Sequence, residues 1–400
     1  MHQPPFEPLK QEKQNKQRPH HLQQHHKNHS FNSQFWFKPT ISHPPKTPDP
    51  SKSAMEFLRW FFFAGVFFVA APIIANGLSA EILIDSPLLT QKIGTNRTII
   101  VDIKGGGDFK SVQAAVDAVP EGNSHWVIIH VRKGVYREKI LIPEEKPYIF
   151  LRGNGKGRTT IVWDAETTNN NLESATIRVQ ASNFIAFGIS FKNDAEVGAP
   201  WSGAAQNQSV AAFVAADRVA FYHCGFFSAH NTLFDYRGIH YYENCYIQGS
   251  IDFIFGHGQS VFHSCEIFVV GDNRVEIGGS ITAQNRESEE EDSGFVFIKG
   301  KVYGTFGVYL GRAKGAFSRV IFAKTYISKT IVPLGWTNWS YHGSTSNLYQ
   351  AEYNCHGPGS ATEGRAKWAR QLTKEEASPF LSIDYINGKE WLPAYQVYDL

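Results

Sequence analysis

Two charged residues stand in otherwise apolar segments, and their chemistry is the first clue to function. Asp252 lies in the run Ile251–Gly256, and Arg312 follows Leu310 and Gly311. A carboxylate among apolar neighbours is costly unless it is paired or poised for a reaction. We therefore expect Asp252 and Arg312 to pair across neighbouring turns of the chain. A buried salt bridge without catalytic role is the alternative, and the residue types alone do not decide between the two.

Composition excludes several other classes of protein. The chain has 400 residues, 14% of them aromatic, which rules out disorder throughout. A formal net charge of +2 gives no electrostatic case for binding nucleic acid or an anionic membrane surface. The sequence contains no Gly-x-Ser-x-Gly, no His-Glu-x-x-His and no phosphate-binding loop. Serine-triad, zinc-protease and nucleotide chemistry are thus not indicated.

A repeated phrase in the middle of the chain predicts the elements that must position these residues. Its three clear copies are Val219–Phe226, His240–Ile247 and Ser260–Ile267, with weaker copies at Asn183–Phe191, Val296–Tyr303 and Arg319–Ile327. A period near 20 residues with short strands rich in aromatic and β-branched residues indicates a solenoid. We expect an all-β fold, a right-handed parallel β-helix in which each copy is one rung.

The cysteines and the two ends of the solenoid fit this prediction. Cys224, Cys245 and Cys265 recur at the same point of the phrase, so they should form an inward ladder of buried small side chains rather than disulfides. Ser111–Pro120 predicts a short capping helix with Ser111 as N-cap, and Lys374–Leu381 predicts another. The segments 193–208 and 286–293 should be loops beside a groove. The acidic run in the second one is best interpreted as solvated charge.

The first eighty residues do not belong to this solenoid. Residues 1–54 are rich in Gln, His, Pro and Lys, and we interpret them as a disordered tail or a gene-model extension. Residues 55–80 carry one Arg, an apolar run and small residues, as a signal peptide does; a signal anchor is the alternative. Residues 81–98 are interpreted as a linker, and 99–400 as the β-helix domain. With N-glycosylation sequons at Asn96, Asn207 and Asn338, the sequence predicts a secreted glycoprotein.

From about residue 99 to the C-terminus, the chain resembles the plant pectin methylesterases, carbohydrate esterases with a β-helix of the pectin-lyase type. The resemblance rests on several phrases in the family order: Gly134–Glu138, Gln208–Ala212, Asp252–Gly256, Leu310–Arg312 and Gly335–Trp339. It implies hydrolysis of the methyl esters of cell-wall pectin (homogalacturonan), an extracellular location in the cell wall, and no metal or cofactor. We expect a monomer.

The resemblance also assigns roles to single residues. Asp252 matches the nucleophile that forms an acyl-enzyme, Arg312 the guanidinium that holds it ionised, and Gln208 an amide donor to the oxyanion. The residues expected to bind substrate are Tyr136, Phe253, Lys314 and Trp336. Lys314 stands where many relatives have Trp, and its charge is suited to a galacturonate carboxylate.

Two positions depart from the family pattern at the point of proton transfer. The chain reads His230-Asn231 where the family has Gln-Asp, and that Asp is the general acid/base. An amide cannot transfer protons, which predicts a slow enzyme unless His230 takes over. A catalytically impaired pectin-binding protein is therefore the first alternative. A polygalacturonase is the second, because of Gly256-His257-Gly258, but the chain has no Asp-Asp pair.

Overall fold

The structure, a computed structural model, describes residues 83–164, 171–195, 209–271, 279–338 and 341–397. The predicted tail and signal peptide lie outside these residues. Within the described ranges, no helix is long and apolar enough to cross a membrane.

The described strands form three parallel sheets, and the chain visits them in turn. Sheet A contains β1 Thr98–Val101, β2 Val127–Val131, β5 Ile149–Arg152, β8 Phe184–Phe187, β11 Val219–Tyr222, β14 Ile239–Glu243, β17 Gln259–His263, β20 Gly294–Ile298, β23 Arg319–Ala323, β26 Tyr349–Tyr353 and β27 Arg370–Gln371. Sheet B contains β3 Gly134–Arg137, β6 Thr159–Trp163, β9 Ser190–Asn193, β12 Gly225–Phe227, β15 Tyr246–Gly249, β18 Glu266–Val269, β21 Lys301–Gly304 and β24 Tyr326–Ile327. Sheet C contains β4 Ile140–Ile142, β7 Ile177–Val179, β10 Ala212–Val214, β13 Leu233–Asp235, β16 Ile254–Gly256, β19 Ser280–Gln284, β22 Tyr309–Ala313 and β25 Trp336–Thr337.

Short helices accompany the sheets near the chain ends and in one loop. They are α1 Ser86–Ile93, α2 Val112–Asp117, α3 Asn171–Ser174, α4 Lys374–Leu381 and α5 Gly388–Trp391, with 3₁₀ turns at Thr345–Asn347 and Ile383–Ile386. The result is the right-handed parallel β-helix that the repeat predicts. Each clear copy of the repeated phrase supplies one strand of sheet A and the start of the next strand of sheet B.

Aromatic rings stack inside the solenoid because parallel register places equivalent residues above one another. Phe221, Tyr242, Phe262, Phe297 and Phe322 are successive partners in sheet A. Their ring centroids are 4.4–5.3 Å apart with interplanar angles of 12° or less. All five are buried, so this column forms much of the central core.

The corner between sheets A and B repeats one backbone conformation. Its residues all have φ between 48° and 64°, in the left-handed region: Gly188, His223, Asn244, Ser264, Lys299, Lys324 and Asn354. The next residue points inward, and at three successive rungs it is Cys224, Cys245 or Cys265. These three thiols are free and buried, as predicted, and burial raises the pKa of Cys224 and Cys245 well above the usual thiol value.

Both predicted capping helices are present. Ser111 accepts a hydrogen bond from the main-chain N–H of Ala114 at the start of α2, and α4 begins at Lys374 as expected. The interpretation of 81–98 as a linker is wrong for the residues described. Helix α1 lies there, capped by Asp85, and its Leu89 is fully buried in an apolar cluster with residues of sheet A. An apolar face on a short segment favours packing over a free linker.

A buried ion pair occupies the corner between sheets C and A. His240 Nδ1 lies 3.0 Å from Asp235 Oδ2, and its Nε2 lies 2.9 Å from the carbonyl oxygen of Ala216. Tyr242 and Ser260 donate to the same carboxylate at 2.7 and 2.8 Å. Both ring nitrogens face acceptors, an arrangement that favours the imidazolium form of His240.

The glycines that resembled a polygalacturonase phrase have a structural role at this pair. A Cβ on Gly258 would lie 1.8 Å from Asp235 Oδ1, and one on Gly256 would lie 2.0 Å from the Asp235 carbonyl oxygen. The phrase therefore makes room for a buried carboxylate.

This pair predicts a loss of stability at alkaline pH. Burial alone would lower the pKa of His240, but the Asp235 carboxylate, the Ala216 carbonyl and the nearby Asp217 outweigh it, so the pKa is raised. The stabilisation is complete below the unfolded value of about 6.5 and is lost as pH rises through the raised pKa. Thermal midpoints measured at about pH 6 and pH 9 should therefore fall more in the wild type than in His240→Gln. Equal falls in the two proteins would assign the pH dependence to other groups.

Candidate active site

Asp252 lies just before β16, on the outer side of sheet C. Its φ of 47° places it in the left-handed region, which Asp tolerates better than most residues. Its main-chain N–H donates to the carbonyl oxygen of Ser280 at 2.6 Å, which ties it to the next rung. The side chain is 16% exposed, so the carboxylate is largely enclosed but reachable from solvent.

Arg312 pairs with Asp252, as the sequence predicts, but not from a neighbouring rung. Its Nε and Nη2 lie 2.8 and 2.7 Å from Asp252 Oδ2. Arg312 belongs to β22, and β19 separates that strand from β16. The residue on β19 that pairs with Arg312 is Ala283, whose small side chain leaves room for the guanidinium to reach across. Two charge-assisted hydrogen bonds hold the carboxylate in one orientation.

Ser280 is a second partner of this carboxylate, and no sequence pattern selects it. It begins β19, is fully buried, and donates from Oγ to Asp252 Oδ1 at 2.6 Å. The signal that could have found it is rung alignment, because Asp252 and Ser280 stand two positions before the paired residues Ile254 and Thr282.

Asn231 occupies on β13 the position that Asp252 occupies on β16. Each lies two residues before a paired strand residue, Leu233 or Ile254, and Asn231 also has a left-handed φ, 53°. Adjacent strands are about 4.8 Å apart, so the two side-chain positions are neighbours. His230, just before Asn231, is 5% exposed, and its carbonyl oxygen accepts from Ser228 Oγ at 3.3 Å.

An aromatic strip lies on the outer side of sheet C beside these residues; Phe213 and Phe255 are buried in it, at 5% and 4% exposed, and Phe234 and Tyr236 are half-buried. Phe213, Phe234 and Phe255 are successive partners, and the Phe234 and Phe255 rings stack at 4.3 Å. Tyr236 packs 5.3 Å from Phe234. This strip was not predicted from the sequence. Its first three members recur every 21 residues, close to the spacing of the three cysteines, and this recurrence could have identified it.

Lys314 follows β22 and is exposed beside this strip, in agreement with a surface role. Its Nζ lies 5.8 Å from the centre of the Phe255 ring. Partial desolvation and the neighbouring Arg312 lower the pKa of its ammonium group, and the Asp252 carboxylate opposes this shift.

The other three residues expected to bind substrate are in the core. Tyr136, Phe253 and Trp336 are at most 1% exposed, so a sugar ring cannot lie against them, and the prediction is wrong for direct contact. Asp252 has a left-handed backbone conformation, which points its own side chain outward and that of the next residue, Phe253, inward.

The two family phrases that contain Tyr136 and Trp336 hold the ends of the solenoid together. The Tyr136 hydroxyl donates to the Arg132 carbonyl at 2.9 Å. Trp336 Nε1 donates to Glu352, which also pairs with Arg365 at 2.8 Å. These contacts and the burial of both rings give Tyr136 and Trp336 a packing role.

Gln208 and most of the loop 193–208 lie outside the described residues. The loop 286–293 is present and is not merely solvated charge. The Arg286 guanidinium donates to the carbonyl oxygens of Glu289, Glu291 and Phe317, so the loop wraps around a buried cation. Its acidic side chains border a cleft of about 440 Å³ that also includes His257.

The partly exposed Asp252 carboxylate, held by the Arg312 guanidinium on the outer side of a parallel β-helix, is a candidate active site that could supply a nucleophile or a general base. Comparison with known proteins identifies the family. The family model described as Pectinesterase matches residues 98–389. "Probable pectinesterase 67" of Arabidopsis thaliana is 64% identical over 78% of this chain and 90% of its own length.

Two further relatives agree. "Pectinesterase QRT1" of Arabidopsis thaliana is 38% identical over 74% of this chain and 79% of its own length. The solved structure of the pectin methylesterase from carrot superposes with a TM-score of 0.69 at 30% identity, covering 74% of this chain and 94% of that one. The chain belongs to the pectinesterase family, hydrolases of the methyl esters of pectin.

Proposed function

We propose that Asp252 is the nucleophile with which this chain hydrolyses the C6 methyl ester of galacturonate in cell-wall pectin. The observation that supports this most is the Arg312 pair, because it holds a partly exposed carboxylate in one orientation beside a cation. The carboxylate attacks the ester carbonyl, and the carbonyl π electrons move onto oxygen. Collapse of this intermediate expels methoxide, which leaves as methanol after gaining a proton. Water then cleaves the acyl-enzyme and restores Asp252.

Proton transfer is the step at which this chain differs from the family pattern. Asn231 stands beside Asp252 where an acid/base would act, and its amide has no proton to give or take at neutral pH. The proton for methoxide therefore comes from water or from His230. We expect turnover to be slow if water supplies it.

The half-buried members of the aromatic strip, Phe234 and Tyr236, together with Lys314, provide the proposed surface for the polysaccharide. Aromatic side chains pack against the apolar faces of sugar rings, and the Lys314 ammonium attracts the carboxylate of a galacturonate that has already lost its methyl group. The proposed binding partner is thus a pectin chain that contains both methyl-esterified and de-esterified galacturonate units. Gln208 remains the proposed donor to the oxyanion.

Methanol release from methylated pectin tests this function. The chain from residue 81 to 400 should release methanol, and Asp252→Ala should release none above the uncatalysed rate. If the wild type and Asp252→Ala bound pectin with the same affinity and neither released methanol, the protein would be a catalytically impaired pectin-binding protein. Release of new reducing ends would instead favour a polygalacturonase.

We also propose that the protein is secreted to the cell wall and that its mature form begins near Glu81. The apolar run after Met55 and the small residues at 79–80 support this. N-terminal sequencing of the protein collected from the extracellular fraction should read from about Glu81. A mature product that retains residues 1–54 would contradict both the cleavage and the interpretation of those residues as dispensable.

A further inference from the structure

We infer that Ser280 is a positioning residue that selects Oδ1 of Asp252 as the attacking oxygen. This inference rests on the proposed role of Asp252 as nucleophile and specifies which atom acts. It comes from counting the acceptor sites of one carboxylate among the described residues.

Each carboxylate oxygen offers about two lone-pair directions to donors. Arg312 uses both of those on Oδ2, because Nε and Nη2 lie 2.8 and 2.7 Å from the same atom. Ser280 Oγ uses one on Oδ1 at 2.6 Å. Among the donors in the described part of the chain, none uses the last lone pair, and it is on Oδ1.

The two oxygens also differ in their electronic environment. Oδ2 faces a permanent cation, which draws electron density toward itself and makes that oxygen a poor nucleophile. Oδ1 meets one neutral hydroxyl. The guanidinium thus anchors one oxygen, and the other keeps the capacity to form a bond to carbon.

Ser280 restrains Oδ1 because it holds both the backbone and the side chain of Asp252. Its carbonyl oxygen accepts from the Asp252 N–H at 2.6 Å while its hydroxyl donates to the carboxylate. Ser280 is fully buried at the start of β19, so its hydroxyl has little freedom to move. Rotation of the carboxylate about χ2 would break this bond and the pair of bonds to Arg312 together.

The covalent step follows from this geometry. The remaining lone pair of Oδ1 forms the bond to C6, the ester carbonyl electrons move to oxygen, and loss of methoxide leaves a mixed anhydride between Asp252 and galacturonate. Ser280 keeps its own proton throughout, so it is not a proton donor to methoxide. Its contribution is the direction of the lone pair.

The test compares Ser280→Ala and Ser280→Thr with Thr282→Val as a matched control. Thr282 is two residues further along β19, is fully buried, and donates its hydroxyl to the Leu310 carbonyl at 3.0 Å without contacting Asp252. We expect Ser280→Ala to lower kcat for methanol release about 10- to 100-fold with KM unchanged within twofold. Ser280→Thr, which keeps the hydroxyl, should recover most of kcat, and Thr282→Val should retain it.

Three results would overturn the inference. One is an unchanged kcat in Ser280→Ala. Another is an equal loss of kcat and thermal midpoint in Ser280→Ala and Thr282→Val, which would make the role structural. The third is independent of turnover: a crystal structure of Ser280→Ala should show the Asp252 carboxylate rotated about χ2, and an unrotated carboxylate contradicts us. If all these proteins and Asn231→Asp release no methanol, the proposed function fails, and this crystallographic comparison still decides the role of Ser280.

Discussion

Asn231→Asp should raise the rate of methanol release by about 10²–10⁴-fold, the usual contribution of one proton-transfer group. The substitution fits the backbone, because Asp tolerates the left-handed region as Asn does and Asn231 has a φ of 53°. The introduced carboxyl would stand one strand spacing from the Asp252 carboxylate. Like charges so close favour a proton on one of the two groups, which is what a general acid requires. Steady-state methanol release from methylated pectin measures the effect.

The outcome for His230 separates two explanations of wild-type activity. If His230 already transfers the proton, the wild type is active, Asn231→Asp adds little, and His230→Gln removes the activity. If water transfers it, His230→Gln has a small effect and Asn231→Asp a large one. If neither the wild type nor Asn231→Asp released methanol, the groove would not process methylated pectin, and the binding-protein alternative would then hold.

Arg312→Ala should lower kcat by about 100-fold or more, because the nucleophile loses both bonds that orient Oδ2. The effect on stability should be smaller. The two side chains are each 16% exposed, so water can partly replace the lost partner, and we expect a free-energy cost of about 1–3 kcal/mol. Methanol release and thermal unfolding of the same preparation measure the two effects. A variant with wild-type kcat would exclude a catalytic role for the pair.

Lys314→Ala is the natural comparison because it removes a cation from the same region without touching a bond to Asp252. It should raise KM for partly de-esterified pectin and leave kcat nearly unchanged, since its proposed contact is with the polymer. An increase that is as large for fully methylated pectin would argue against a carboxylate as its partner.

The fold was predictable because one signal repeats many times. The steps of 21 and 20 residues between Cys224, Cys245 and Cys265 fix the length of a rung, and the rung fixes the sheets. The structure at the N-terminal end of the solenoid was harder to predict from the sequence. Helix α1 has too few residues for a clear periodicity, and only its packing against sheet A distinguishes it from a linker.

The site was predictable in its charged residues and not in its neighbours. Asp252 and Arg312 stand out because charge in an apolar segment is rare, but the length of the reach from Arg312 depends on Ala283, which has no distinguishing feature in sequence. Phe253 looks like a surface aromatic until the left-handed φ of Asp252 shows that it turns inward. Ser280 is one hydroxyl among many, and only the register connects it to a residue 28 positions earlier.

The stacked rings inside the solenoid make the molecule a one-dimensional array. The rings in the column from Phe221 to Phe322 stack on one another from rung to rung, so stability passes from neighbour to neighbour along the axis. In such an array, loss of structure starts at the termini and advances inward like a zipper. Asn231 precedes β13 and Asp252 precedes β16, and these two strands are the middle pair of the eight in sheet C. The proposed nucleophile therefore lies where fraying from either end arrives last.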